Sequence, residues 1–410
     1  MENVKRNIFL LSMAQFITLA SVVTVITYSS LVAKMMTGST SLATIPSATA
    51  FIATAAFAFP ASLLMKKFGR KKVFYFGATC AGLAGLLAVT SIYQNNYYLL
   101  CFATFCHGIY QSIANYYRFT AMEVSPKDYH KQAVSYVILG GVLAGLSAPT
   151  LARFFESNYF EPVQYAGTYC LVIALSLVAH FLITMIKLPP RKIMLVNEKP
   201  IKNPKFMDVL KRPAFICASL SAACAYLSMS FIMTATPLEV VEVCGYQISD
   251  AAGVIQWHSI SMFLPAIITG TLIARFGSIK IILTGMILML ISTLVAKAGI
   301  DLNNFYVALV AIGVGWNFMF TAGTTLLEHT YNEDEKAFVQ GLNDFVVFGL
   351  AAMATLGSGY ALQGVGWNVM NNIVIGVLIL LIAVILWFVN VRNNGPKHRE
   401  ETVITKGSVR

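Results

Sequence analysis

Charge is scarce in this chain. Only 11% of its 410 residues are Asp, Glu, Lys or Arg, with 18 acidic against 29 basic side chains, whereas soluble domains average about a quarter. That excludes a large hydrated surface. Cysteine is sparse too, at seven. Cys80, Cys101, Cys106, Cys170, Cys217 and Cys224 fall within apolar runs and Cys244 lies near an outer loop, with neither metal-ligand nor disulfide-framework spacing. They read as small apolar fillers, and no metal is expected. No phosphate-cradling glycine loop, Walker-type lysine or nucleophile elbow is present, so neither an enzyme nor a cofactor is expected. The longest segment between apolar runs is about 25 residues, too short for a nucleotide-hydrolysing domain. The first apolar run is too long for the core of a cleavable signal.

What the chain has instead is apolar length. It is 57% hydrophobic, with a mean hydropathy of +0.70. Stretches at 8–33, 42–65, 73–93, 98–124, 132–153, 163–187, 213–238, 251–274, 279–299, 304–329, 337–362 and 370–392 each reach the roughly 20 residues that cross a bilayer. The connections between these twelve spans sort their charge by side. Twenty-five of the 29 Lys and Arg fall on the side of the two termini, and only Lys34, Arg153 and Lys297 on the other. Cytoplasmic loops collect Lys and Arg, so both termini are expected in the cytoplasm of a multi-pass inner-membrane protein. The net charge of +11 then answers to anionic lipid headgroups. Nucleic acid is excluded as a partner, because the basic residues are dispersed over seven loops.

The chain also repeats itself. The only long connection, 188–212, divides it into six spans (1–187) and six more (213–392), followed by a polar tail (393–410). "LMKKFGRKKVFYFG" at 64–77 and "LIARFGSIKIILTG" at 272–285 align at an offset of 208, matching Leu64, Phe68, Gly69, Lys72 and Gly77 with Leu272, Phe276, Gly277, Lys280 and Gly285. Both copies join the second and third spans of their half. Glu123 and Glu328 each close a span two spans later, where they can pair with Arg70 and Arg275. The fold class expected is an all-α polytopic membrane protein, twelve transmembrane helices in two pseudo-symmetric six-helix bundles.

Twelve spans, a charged middle loop and a repeated G-x-L-x-x-R-x-G in the second-to-third loop resemble the major facilitator superfamily. Gly270, Leu272, Arg275 and Gly277 carry the motif in the second copy; Leu64, Lys67, Gly69, Arg70 and Lys71 in the first, where Ser62 replaces the opening glycine. Both copies lack the family's acidic residue, with Lys66 and Ala274 in its place. The resemblance implies alternating access, with the loop residues in a structural role.

Charges inside spans are costly and mark pathways. Arg118 in span 4 and Asp344 in span 11 each sit about seven residues from the cytoplasmic end, roughly 10 Å deep. Opposite charges at one depth, one per half, suit a gate latch or a proton and substrate site. Gln111, Asn115 and Arg118 share one helical face, with Tyr110 nearby, and Gln15 and Thr18 form a shorter stripe in span 1. Tyr226 in span 7 and Trp316 and Asn317 in span 10 complete the expected cavity lining. His258, beside Trp257, is a candidate external proton relay or an aromatic-belt residue, and His107 a weaker one. Gly141, Gly145 and Pro149 give span 5 a close-packing face.

The function expected is secondary active transport of a small organic solute, coupled to protons or another ion, by a monomer in the lipid bilayer. Direction stays open between export of drug-like amphipathic compounds and import of a nutrient, carboxylate or iron chelate. The rivals from other classes are a non-transporting sensor or scaffold and a channel.

Overall fold

The computed structural model describes residues 2–126, 129–158, 163, 165–188, 206–332 and 335–394, and every regular element among them is a helix. Span 1 is α1 (Glu2–Thr37); span 2 is α2 (Thr40–Ala43) with α3 (Ile45–Phe68); span 3 is α4 (Arg70–Tyr93). Span 4 is α5 (Tyr97–Ala114) with α6 (Tyr117–Glu123), span 5 is α7 (His130–Asn158) and span 6 is α8 (Ala166–Met185). The second half follows a short α9 (Phe206–Leu210). Span 7 is α10 (Pro213–Leu238), closed by a π turn at Glu239–Val243 just after Pro237. Span 8 is α11 (Ile248–Phe263) with α12 (Ala266–Phe276), span 9 is α13 (Ser278–Ala298) and span 10 is α14 (Leu302–Glu328). Spans 11 and 12 run together as α15 (Lys336–Asn394). Most of the middle connection and most of the tail lie outside the described residues.

Nine described helices are individually long and apolar enough to cross a membrane, or ten with α11 and α12 as one bent span. The second span of α15 and the two-piece span 4 bring the architecture to twelve. Three elements differ from the continuous spans that hydropathy suggests, each for a local reason. Span 4 breaks at Asn115–Tyr116, where Tyr116 N–H donates to Ile113 O at 3.2 Å in a tight turn. Span 8 bends by 41° at Leu264–Pro265, because proline supplies no N–H to the preceding turn. Spans 11 and 12 turn at Gly366, whose φ of 77° is open chiefly to glycine.

The repeat is visible in the backbone. Gly69 ends α3 and starts α4 at φ 85°, ψ 152°, and Gly277 ends α12 and starts α13 at φ 83°, ψ 153°. Lys67 lies 5.2 Å over the Phe68 ring and Arg275 lies 5.3 Å over Phe276, again 208 positions apart. The ion pairing is not repeated. Arg70 pairs with Glu123 and donates to Thr120 Oγ1 at 2.8 Å, but no ion pair joins Arg275 to Glu328 among the described residues. The sequence explains the difference: the positional equivalent of Arg70 is Ser278, and that of Arg275 is Lys67.

The halves meet along two helix pairs. Span 5 lies so close to span 8 that a Cβ on Gly145 would come within 2.9 Å of Ile260 N, and one on Gly141 within 2.6 Å of the Phe263 ring. Away from the chain termini, Gln363 Oε1 accepts from Ser41 N–H at 2.9 Å, Thr44 Oγ1 accepts from Gly359 N–H at 3.2 Å, and Gln256 Nε2 donates to Leu146 O at 2.6 Å. These three bonds join the halves on the side remote from the two termini.

Candidate functional site

A cavity of about 180 Å³ lies between the halves, more than ten times the roughly 10–15 Å³ that admits one water. Its wall is divided by chemistry. The first half supplies Gln15, Gln111, Asn115 and Arg118, with Phe51 and aliphatic residues of span 1. The second half supplies rings: Tyr226, Phe263, Trp316, Phe320 and Phe348, together with Met229, Met233 and Met262.

The rings form one cluster. Trp316 and Phe320, four residues apart on α14, stack at 5.2 Å with planes 10° apart. Tyr226 stands edge-on to Trp316 at 5.1 Å, to Phe320 at 5.2 Å and to Phe348 at 5.2 Å. Phe263 approaches Trp316 at 6.2 Å. Such pairs are worth about 0.5–1.5 kcal/mol each beyond area burial, so the wall is stiff. The Trp316 indole N–H is buried with no partner in the protein.

Seven of the nine expected lining residues are on this wall. Thr18 and Tyr110 are not: they hydrogen-bond to each other at 2.7 Å between spans 1 and 4, and both are buried. Beside them His107 Nε2 meets Ser21 Oγ at 2.7 Å, so this polar stripe joins two helices of one bundle. Asn317 lines the cavity, but its amide is occupied. Its Oδ1 accepts from Thr269 Oγ1 and its Nδ2 donates to Met262 O, both at 2.7 Å, clamping span 8 on either side of its bend. Gln111 Oε1 accepts from Thr54 Oγ1 at 3.4 Å.

Arg118 and Asp344 both reach the cavity. Arg118 lies 4.8 Å over the Phe119 ring, and its Nε is buried with no hydrogen-bond partner. Asp344 Oδ1 accepts from Asn343 Nδ2 at 3.2 Å, and Asn343 Oδ1 accepts from Ser219 Oγ at 2.9 Å. No ion pair joins Arg118 to Asp344 in this structure. His258 is fully buried, its Nδ1 2.8 Å from Leu309 O, while Trp257 is 54% exposed. The tryptophan faces outward and the histidine packs inside the second bundle, away from the cavity wall. No cluster of metal-ligating side chains occurs among the described residues, and the seven cysteines are free.

Sequence reasoning missed Phe51, Phe263, Phe320, Phe348, Met229 and Met262. The one available signal was spacing: Trp316 and Phe320 are four apart, and Met229 and Met233 are four apart in line with Tyr226.

Comparison with known proteins adds the lineage. A family model described as the Major Facilitator Superfamily matches residues 8–295 and 218–408. The riboflavin transporter RfnT of Brucella anthropi is 31% identical over 386 residues, covering 92% of this chain and 94% of that protein. The uncharacterised MFS-type transporter YdeG of Bacillus subtilis is 24% identical over 397 residues, covering 93% of this chain and 92% of its own. In fold, the chain is similar to the crystal structure of a bacterial homologue of the human lysosomal transporter Spinster. That likeness has a TM-score of 0.67 at 12% identity, across 94% of this chain and 96% of the other.

Proposed function

Since this chain belongs to the major facilitator superfamily and is an integral, multi-pass membrane transporter of a small molecule, we propose that it imports riboflavin or a close flavin by alternating access. The observation that carries the proposal is the Trp316–Phe320 stack with Tyr226 edge-on to both rings and Phe348 edge-on to Tyr226, in one cavity with the amides of Gln15, Gln111 and Asn115. A flavin has the matching halves: a planar tricyclic ring to lie along an aromatic wall, and carbonyls, an imide N–H and a hydroxylated chain for the amides. Stacking a heteroaromatic ring on such side chains contributes about 1–3 kcal/mol. The 31% identity to a riboflavin transporter over nearly the whole chain supports the same reading.

In the cycle we propose, the bundles 1–187 and 213–392 rock about this cavity in a bacterial inner membrane, with both termini cytoplasmic. The outer contacts Ser41–Gln363 and Thr44–Gly359 part when the site faces outward. Arg118 and Asp344 close on each other at the inner side in that state, and a proton on Asp344 releases them, coupling uptake to the proton gradient. The protein acts as a monomer.

Riboflavin binding to the purified protein, read by quenching of flavin fluorescence, tests the site. W316A should weaken binding at least about tenfold, the equivalent of ~1.4 kcal/mol. Uptake into proteoliposomes should rise with an inward proton gradient, and D344N should remove that dependence. Saturable riboflavin binding absent from the wild type would sink the proposal. The methionines at 229, 233 and 262 favour one second reading, export of varied amphipathic aromatics, since thioethers adapt to many shapes. Efflux of several unrelated aromatic compounds, with riboflavin not preferred, would select it.

A further inference from the structure

The cavity wall bears one formal charge of each sign and no other. Arg118 comes from the first half and Asp344 from the second; every other lining residue is neutral. The two do not pair, and each is fixed. Arg118 rests on Phe119 at 4.8 Å, and Asp344 is tethered through Asn343 to Ser219. Such a wall has no net charge but two separated poles.

A neutral solute leaves that balance intact. An anion that pairs with the open Arg118 guanidinium withdraws its compensation from Asp344 and leaves a carboxylate facing added negative charge among rings and aliphatic groups. At the low dielectric of such a wall, an uncompensated charge is strongly penalised. Removing the Asp344 charge relaxes that selection, because the wall then bears a lone cation that an anion can neutralise.

We propose that Asp344 is a specificity-determining residue that restricts the cavity to uncharged flavin and excludes phosphorylated flavin, by holding the Arg118 charge in balance. This rests on the flavin reading above. The chemistry separates two compounds that share every ring atom: riboflavin, which is neutral, and its 5′-phosphate, which carries nearly two negative charges at neutral pH.

Equilibrium binding of both compounds to the full-length protein in detergent tests it, without requiring turnover. The wild type should prefer riboflavin over the 5′-phosphate by at least about tenfold, and D344N should shrink that preference to within about threefold. D344E should keep the wild-type preference. R118Q, tested by itself, should reject the phosphate at least as strongly as the wild type, and R118Q/D344N should again prefer the neutral compound. If D344N binds riboflavin and discriminates as the wild type does, the inference is overturned while the flavin reading stands. If R118Q gains phosphate binding, the inference is overturned as well. If the wild type binds neither flavin, the flavin reading fails and takes this inference with it.

Discussion

Two glycines show how little space has to do with some constraints. A Cβ at Gly69 or Gly277 would meet nothing within 4 Å, yet both sit at φ near +85° with extended ψ, a region essentially reserved for glycine and costing other residues on the order of 1–3 kcal/mol. Gly108 is the opposite case: its backbone is ordinary helix, but a Cβ would lie 2.1 Å from Ala50 O. G69A and G277A should therefore lower the thermal midpoint of the solubilised protein by similar amounts, because the two turns are copies. G108A should lower it more, since spans 2 and 4 would have to separate. Unequal losses for the repeat pair would show that the two loops do not carry equal strain. The same scale explains what sequence could not read at the site. Gln15 and Thr18 are three apart on α1, yet one reaches the cavity and the other bonds Tyr110. A polar stripe on a transmembrane helix has two stable destinations, water or a neighbouring helix, and periodicity does not choose between them. Phe320 and Phe348 were hidden for the matching reason, because an aromatic ring is equally at home against lipid. Arg118 and Asp344 were legible because a charge in a span has few places to go.

At the scale of elements, the start of span 7 is tied to the loop before span 11. Arg212 donates from Nη1 to Glu335 Oε2 and from Nη2 to Oε1, both at 2.8 Å, and Nη1 also reaches Thr330 O at 2.6 Å. The paired guanidinium holds the Glu335 carboxyl below the usual glutamate range, and the Arg212 guanidinium is raised in turn. With the folded-state value depressed, the pair's contribution is complete above the ordinary glutamate pKa of about 4.3 and is lost as pH falls through the lower folded value. Both side chains are partly exposed, which keeps the effect near the surface range of about 0.2–1 kcal/mol. E335Q should cost that much at pH 7 and nothing below the folded-state titration, as read by thermal midpoints from pH 7 to pH 3. A constant difference across that range would show that the loss comes from packing. Span existence and the duplication were legible from hydropathy and the 208-residue offset, because both are whole-segment properties. The breaks were not. Pro265 lies in a run as apolar as its neighbours, and the turn at Asn115–Tyr116 has neither Pro nor Gly to announce it.

For the whole molecule, the decisive property is that, among the described residues, the two bundles touch through few polar contacts. Ser41 N–H to Gln363 Oε1 and Gly359 N–H to Thr44 Oγ1 join the segment after span 1 to the far end of span 11, on the side opposite Arg118 and Asp344. If transport requires these surfaces to part, a covalent tie there must stop the cycle without disturbing the cavity. S41C/Q363C, built in a background with the seven native cysteines replaced, should be cross-linked by a short bifunctional thiol reagent. Uptake should then fall to background, while binding of the proposed flavin substrate from the side of the termini should persist. Cleaving the linker should restore uptake, which a misfolded protein would not do. The same reagent on either single mutant should leave uptake unchanged. Transport that survives complete cross-linking would mean these contacts need not open, and a rocking mechanism about the central cavity would have to be abandoned.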